Sequence, residues 1–190
     1  LLTKEECESC DWGGSESYVD YEKMYLSRFK LLRKAYEKAD LKTNPDYAEF
    51  LKEEKDWLQD YCLFMAIKND QKGICWIDWP EELKDRHSKA VKEAEKELAE
   101  EIEFYRFQQY CFTTQWRKLK AYANKKGISI IGDVPIYVAL DSSDAWANPE
   151  MLQFDEDYDP KAVAGCPPDA FSATGQLWGN PLYDWKALKK

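Results

Sequence analysis

The chain changes texture at Gly127, and that break limits its possible folds more than any other feature. Residues 1–126 hold 23 Lys and Arg against 26 Asp and Glu, but only two of the eight prolines, and so read as charged helices. Residues 127–190 hold the other six prolines, five of the eight glycines, and ten acids against four Lys and Arg. They read as a strand followed by structured loop. With 190 residues, 44% hydrophobic and 15% aromatic, the chain can bury a core, which argues against disorder. A net charge of −9 repels phosphate backbones, so no nucleic-acid partner is expected. No apolar run reaches the ~18 residues of a membrane span, and Leu1–Glu6 lacks the basic-then-apolar start of a signal peptide. The six cysteines contain one C-x-x-C, Cys7–Cys10, with no second pair at zinc spacing and only one histidine, His87. Free thiols in a reducing cytoplasm are expected, with no metal and no cofactor.

In the first part, Asp20 precedes Tyr21, Tyr25, Phe29, Leu32 and Tyr36, an N-cap followed by one apolar stripe at three-four spacing. Asn44-Pro45 interrupts, and a second helix is predicted from about Tyr47 to Lys68. The loop Gly73–Pro80 carries Trp76 and Trp79, whose expected role is to anchor a core. The longest predicted helix starts at Ser88 as N-cap. Its stripe runs through Val91, Ala94, Leu98, Ile102, Tyr105, Phe112, Trp116 and Leu119, and Gly127 stops it. Opposite charges four apart, Lys89–Glu93 and Lys96–Glu100, mark its solvent face. A coiled coil fits such a stripe, but its aromatics favour packing on a globular body.

The run Ile128-Ser129-Ile130-Ile131-Gly132-Asp133 then predicts a short buried strand ending in a carboxylate, parallel if helices flank it. In barrel and doubly wound folds, chemistry sits at that end of a strand. Asp133 is therefore either a ligand contact or a turn residue closing the strand. Asp141 and Asp144 are expected to cap the next helical turn. Pro168 to Pro181 fits no helical or strand period, and long loops of this kind are usually functional or disordered. Phe171 and Trp178 argue against disorder. Exposed rings beside Gln, Asn and Asp suit a sugar, whose C–H faces lie on aromatic planes, although the same rings could fold back on the core. Gly175–Gly179 lacks the Gly-Lys-Ser/Thr ending of a phosphate loop.

Ile131-Gly132-Asp133-Val134-Pro135-Ile136-Tyr137-Val138-Ala139, then Asp141-Ser142, Asp144 and Trp146-Ala147-Asn148-Pro149-Glu150, resemble the signature of the 4-alpha-glucanotransferases (amylomaltases, disproportionating enzymes). Val163-Ala164-Gly165, Pro167-Pro168-Asp169, Phe171-Ser172 and Thr174 to Tyr183 are similar to the active-site loop of that family. Tyr21–Tyr36, Trp57–Met65 and Ala99–Gly127 resemble its helical segments more loosely. The resemblance implies an α/β parent, a glycosidase-type (β/α)8 TIM barrel. This chain would be a mostly α-helical internal fragment of it, with one or two barrel strands and a long ordered loop. Residues 1–126 would be a helical insertion plus the helix leading into the barrel, and 127–190 the barrel strand and active-site loop.

The family transfers an α-1,4-glucan segment to the 4-hydroxyl of an acceptor glucose or glucan by a retaining double displacement. Its nucleophile lies in an Arg-x-Asp-His motif that this sequence lacks. The resemblance therefore implies no catalytic residue in this chain, with nucleophile and acid/base C-terminal to Lys190 and the isolated chain inactive. Carried over by position, Asp133 matches an aspartate beside the donor sugar. Asp169, Phe171, Gln176 and Trp178 match loop positions around donor and acceptor, and Asn180 matches a further contact. Cys166 and Ala170 stand where the family often has Val and Tyr, so a ring worth about a kcal/mol of stacking is lost at Ala170. The implied partners are α-1,4-glucan, malto-oligosaccharides and glucose as acceptor. Self-association is expected where a cut barrel exposes apolar edges. The competing readings are a non-catalytic helical module that binds glucan or protein, and a hydrolase relative.

Overall fold

The computed structural model describes residues 1–189. The helices are α1 (Lys4–Glu8), α2 (Tyr21–Glu37), α3 (Pro45–Glu53), α4 (Lys55–Asp70), α5 (Glu81–Lys84), α6 (Lys89–Glu97), α7 (Ala99–Lys125) and α8 (Ser143–Ala147). The strands are β1 (Val163–Cys166) and β2 (Gln176–Pro181). Several helices begin where a side chain takes up amides of the first turn. Asp20 Oδ1 accepts from the Lys23 N–H at 3.1 Å and Ser88 Oγ from the Val91 N–H at 3.0 Å. Asn44 Oδ1 accepts from the amides of Asp46 and Tyr47, with Pro45 at the first helical position. Gly127 ends α7 at φ +74°, a conformation a side chain resists. Among the described residues no helix is long and apolar enough to cross a membrane.

Each of the two longer predicted helices is interrupted once. The predicted 47–68 helix splits into α3 and α4 at Glu54, and the predicted 88–126 helix into α6 and α7 at Leu98. Both residues leave helical ψ, at 12° and 18°. Past its break, α7 serves two cores from two of its faces. Ile102 and Tyr105 join the main core with α4, while Phe104 and Phe107 form a second one against α2.

Of the predicted α2 stripe, Phe29, Leu32 and Tyr36 pack half-buried on the second core, whereas its N-terminal end does not. Ser27, Leu31 and Ala35 are buried, whereas Tyr21 and Tyr25 are exposed. The reason is volume. Phe104 and Phe107 fill the space between the helices, so α2 presents small residues there, and the Tyr36 ring meets both phenylalanines at 5.6 Å. Buried Ser27 satisfies its hydroxyl by donating to the Asp11 carbonyl at 2.6 Å.

Trp76 and Trp79 anchor the main core, joined by Trp146, and each indole N–H has a partner. They donate to the carbonyls of Leu140 (2.8 Å), Ile74 (3.1 Å) and Leu83 (3.0 Å). At ~25 cal/mol per Å2 over the ~150–250 Å2 such rings bury, each contributes at most roughly 4–6 kcal/mol. This cluster fixes α4, α8 and the approach to the loop relative to one another.

Residues 128–133 do not form the predicted buried strand. Ile131 is 94% exposed, and Val134 and Ile136 are exposed with it. A β-branched run supplies propensity, but a strand also needs a neighbouring backbone, and among the described residues none lies alongside it. The sheet lies elsewhere, as the antiparallel pair β1–β2, with Gly165 opposite Leu177 and Cys166 opposite Gln176. The apolar stripe of α7 likewise runs out into solvent at Phe112, Trp116, Leu119 and Tyr122.

Candidate functional site

The β1–β2 pair gives the 163–181 segment a rigid base, and its last six residues, which fit no period in the sequence, form β2. The turn above it is organised by Asp169. Its Oδ1 accepts from the amides of Phe171 (2.9 Å) and Ser172 (2.8 Å), and its own N–H donates to the Ser172 carbonyl at 3.0 Å. Ser172 Oγ then donates to the Gly175 carbonyl at 2.7 Å. Gly175 sits at φ +73°, and a Cβ there would lie 2.5 Å from the Cys166 carbonyl oxygen, so the two ends of the turn approach as only glycine allows. Asp169 Oδ2 accepts no hydrogen bond among the described residues.

Gln176 and Trp178 stand two apart on β2, and the strand then bulges before Asn180, with Gly179 at φ +80° and Pro181 opposite Val163 where Leu177 is opposite Gly165. Trp178 Nε1–H donates to Gln176 Oε1 at 2.9 Å, which fixes the indole and turns the Gln176 amino group outward. The indole is 46% exposed and lies 6.3 Å from the Tyr137 ring. Tyr137 in turn stacks on Tyr183 at 5.9 Å, and Tyr183 meets Trp185 at 5.5 Å. Asn180 Nδ2 donates to the Val138 carbonyl at 2.9 Å, tying β2 to the segment that follows Asp133. Phe171, at the tip of the turn, is 97% exposed.

The structure thus brings Gln176, Trp178 and Asn180 to residues 137–138, with Asp169 and Phe171 on the adjoining turn. Asp133 lies at the other end of the 133–138 segment, where its Oδ1 accepts from the Val134 N–H at 2.8 Å. No hydrogen bond among the described residues joins it to the loop. Tyr137 and Tyr183 belong to the ring row although spacing alone does not reveal them, because their contact joins segments far apart in sequence. The expected caps also differ. Ser142 Oγ caps α8 by accepting from the Ala145 N–H at 3.2 Å, whereas Asp141 pairs with Lys68 across to α4. Exposed rings beside uncharged hydrogen-bonding groups and one free carboxylate oxygen suit a neutral, polyhydroxylated ligand.

Residues 1–190 match the family described as 4-alpha-glucanotransferase along their whole length. The chain belongs to that family. It is 46% identical over 191 residues to the 4-alpha-glucanotransferase of Clostridium butyricum, covering 100% of this chain and 39% of the relative. It is likewise 46% identical over 184 residues to that of Thermus thermophilus, covering 95% of this chain and 37% of the relative. The solved amylomaltase from Streptococcus agalactiae in complex with acarbose superposes with a TM-score of 0.91 at 39% identity, over 99% of this chain and 38% of that one. The chain therefore spans under two-fifths of the length of these 4-alpha-glucanotransferases. Its fold is that of a mostly helical part of a glycosidase-type barrel protein, and nothing in these matches favours a non-catalytic module.

Proposed function

We propose that the full-length protein is a glycosyltransferase that moves α-1,4-glucan segments from a donor to the 4-hydroxyl of glucose or a second glucan. The observation that carries this reading is the 169–181 loop, an exposed ring row and free polar atoms held on a rigid hairpin, in a chain of this family. In this reading Trp178 stacks on a donor or acceptor glucose, and Gln176 donates to its hydroxyls. Asp169 Oδ2 accepts from a hydroxyl while Oδ1 holds the turn. Phe171 closes over the bound sugar and excludes water, which favours transfer over hydrolysis. Asn180 offers its Oδ1 to the ligand while its Nδ2 retains Val138, and Asp133 contacts the donor sugar from the opposite segment.

The retaining double displacement needs two carboxyl groups about 5–5.5 Å apart, which this reading places outside the 190 residues, leaving the isolated chain inactive. Residues 1–126 act as the helical insertion and 127–190 as the site segment. The physiological substrates are malto-oligosaccharides, starch or glycogen. The compartment is the cytoplasm, which six free thiols fit. The exposed stripe of α7 and residues 128–136 meets the remaining barrel in the whole protein and supports self-association in the isolated chain. Incubation of the full-length protein with maltotriose tests the reading. Glucose together with maltopentaose and longer chains is the expected product set, and glucose and maltose alone would contradict it.

A further inference from the structure

A cavity of about 290 Å3 lies between α4 and α8, close to the ~300 Å3 lower end of small-ligand sites. Trp57 and Tyr61, one turn apart on α4, wall one side with ring centroids 5.9 Å apart and planes tilted by 59°. Trp57 is 42% exposed for so large a ring, and its Nε1–H is held by Glu54 Oε2 at 2.8 Å, so the indole is fixed with a face open to the cavity region. Asp144 and Asn148 face it from the α8 side, and Asp60 is held in place by Arg86 at 2.7 Å. The two walls are locked together, because the buried Trp146 of α8 packs on Phe64 of α4 at 5.9 Å. The Asp144 carboxylate takes no hydrogen bond or ion pair among the described residues. No Lys or Arg lines the cavity, so an anionic ligand has no counter-charge there. Two rings beside carboxylate and amide acceptors instead match the C–H face and hydroxyl edge of a pyranose.

We propose that this cavity is a second glucan-binding site, which holds one glucose unit of a long α-glucan while the loop around Trp178 engages another part of the same chain. The inference rests on the glucan-transfer reading above. Its consequence is a high effective concentration of polymer at the loop, with no such gain for a trisaccharide too short to reach both sites.

The test compares amylose and maltotriose as substrates of the full-length protein, and measures retardation of the protein in native gels containing amylose. Trp57→Ala and Asp144→Ala are each expected to weaken retardation about tenfold and to raise the ratio of amylose KM to maltotriose KM by about the same factor. Asp144→Ala decides the matter if Trp57→Ala does not fold. If the wild type disproportionates maltotriose and binds amylose but both ratios stay within about twofold of wild type, the second site is refuted and the transfer reading stands. A wild type that neither transfers nor binds glucan would overturn both.

Discussion

Gly175 is where a single methyl group tests whether the hairpin sets the geometry of the loop. Alanine at φ +73° costs about 1–2 kcal/mol for the left-handed backbone alone. At this position the new Cβ also falls 2.5 Å from the Cys166 carbonyl oxygen and 3.1 Å from backbone atoms of Pro167 and Pro168. Real Cβ atoms essentially never approach below 3.0 Å, so β1 and the turn must separate by at least 0.5 Å (3.0 − 2.5). The displaced atoms are backbone and cannot rotate away. Asp169, Gln176 and Trp178 move with them, and misplacement of about 1 Å can cost on the order of a hundredfold in rate. Gly73 is the control, since it has the same strain at φ +80° but nothing within 4 Å, and it lies in the loop after α4. In the full-length protein, Gly73→Ala should lose about 1–2 kcal/mol in denaturant titrations, and Gly175→Ala should lose more because the clash adds to the same backbone strain. Only Gly175→Ala should slow maltotriose disproportionation, by about tenfold or more. Equal transfer rates in the two variants would refute the argument that the close approach of β1 and the turn positions the loop.

Other outcomes follow from the core, the thiols and the exposed face. Trp146→Ala should cost about 3–5 kcal/mol in chemical denaturation, because the ring is fully buried among Phe64, Trp79 and Arg86. A loss under about 1 kcal/mol would show that the site refills. Burial pushes the Cys62 thiol up from 9.0 to about 12, so folding favours its protonated form. That contribution is complete below pH 9 and fades as pH rises from 9 towards 12, and native protein at pH 9 should leave Cys62 unalkylated until it unfolds. Analytical ultracentrifugation of the isolated chain should show concentration-dependent association that Leu119→Lys weakens. A monomer at all concentrations would remove the exposed α7 stripe as its cause.

What could be read from the sequence was local. Asp20, Ser88 and Gly127 act through bonds to their own helices, so spacing alone locates these boundaries. The rings of Trp76 and Trp79 were legible as anchors because a large aromatic in a short loop has few other uses. What was not legible depends on distant partners. Which part of the α2 stripe packs inside is decided by Phe104 and Phe107 on α7, and the strand expected at Ile128–Asp133 lacks a neighbour among the described residues. β2 was hidden because its six residues mix Gly and Pro with polar groups, and its pairing with Val163–Cys166 is what makes it a strand. At the candidate site, the residue types alone suggested a sugar ligand, which remains a proposal. The tie from Asn180 to Val138 and the row from Trp178 through Tyr137 to Tyr183 appear only in three dimensions.

The proposed transfer of glucosyl segments to a sugar acceptor is open to a direct test. The most direct measurement gives the full-length protein unlabelled maltotriose and 13C-labelled glucose, and resolves the label by chain length in a mass spectrometer. Label is expected to enter maltose, maltotriose and longer chains, always at the reducing end. Label that stays in free glucose while maltotriose is shortened or left untouched would contradict the proposed transfer.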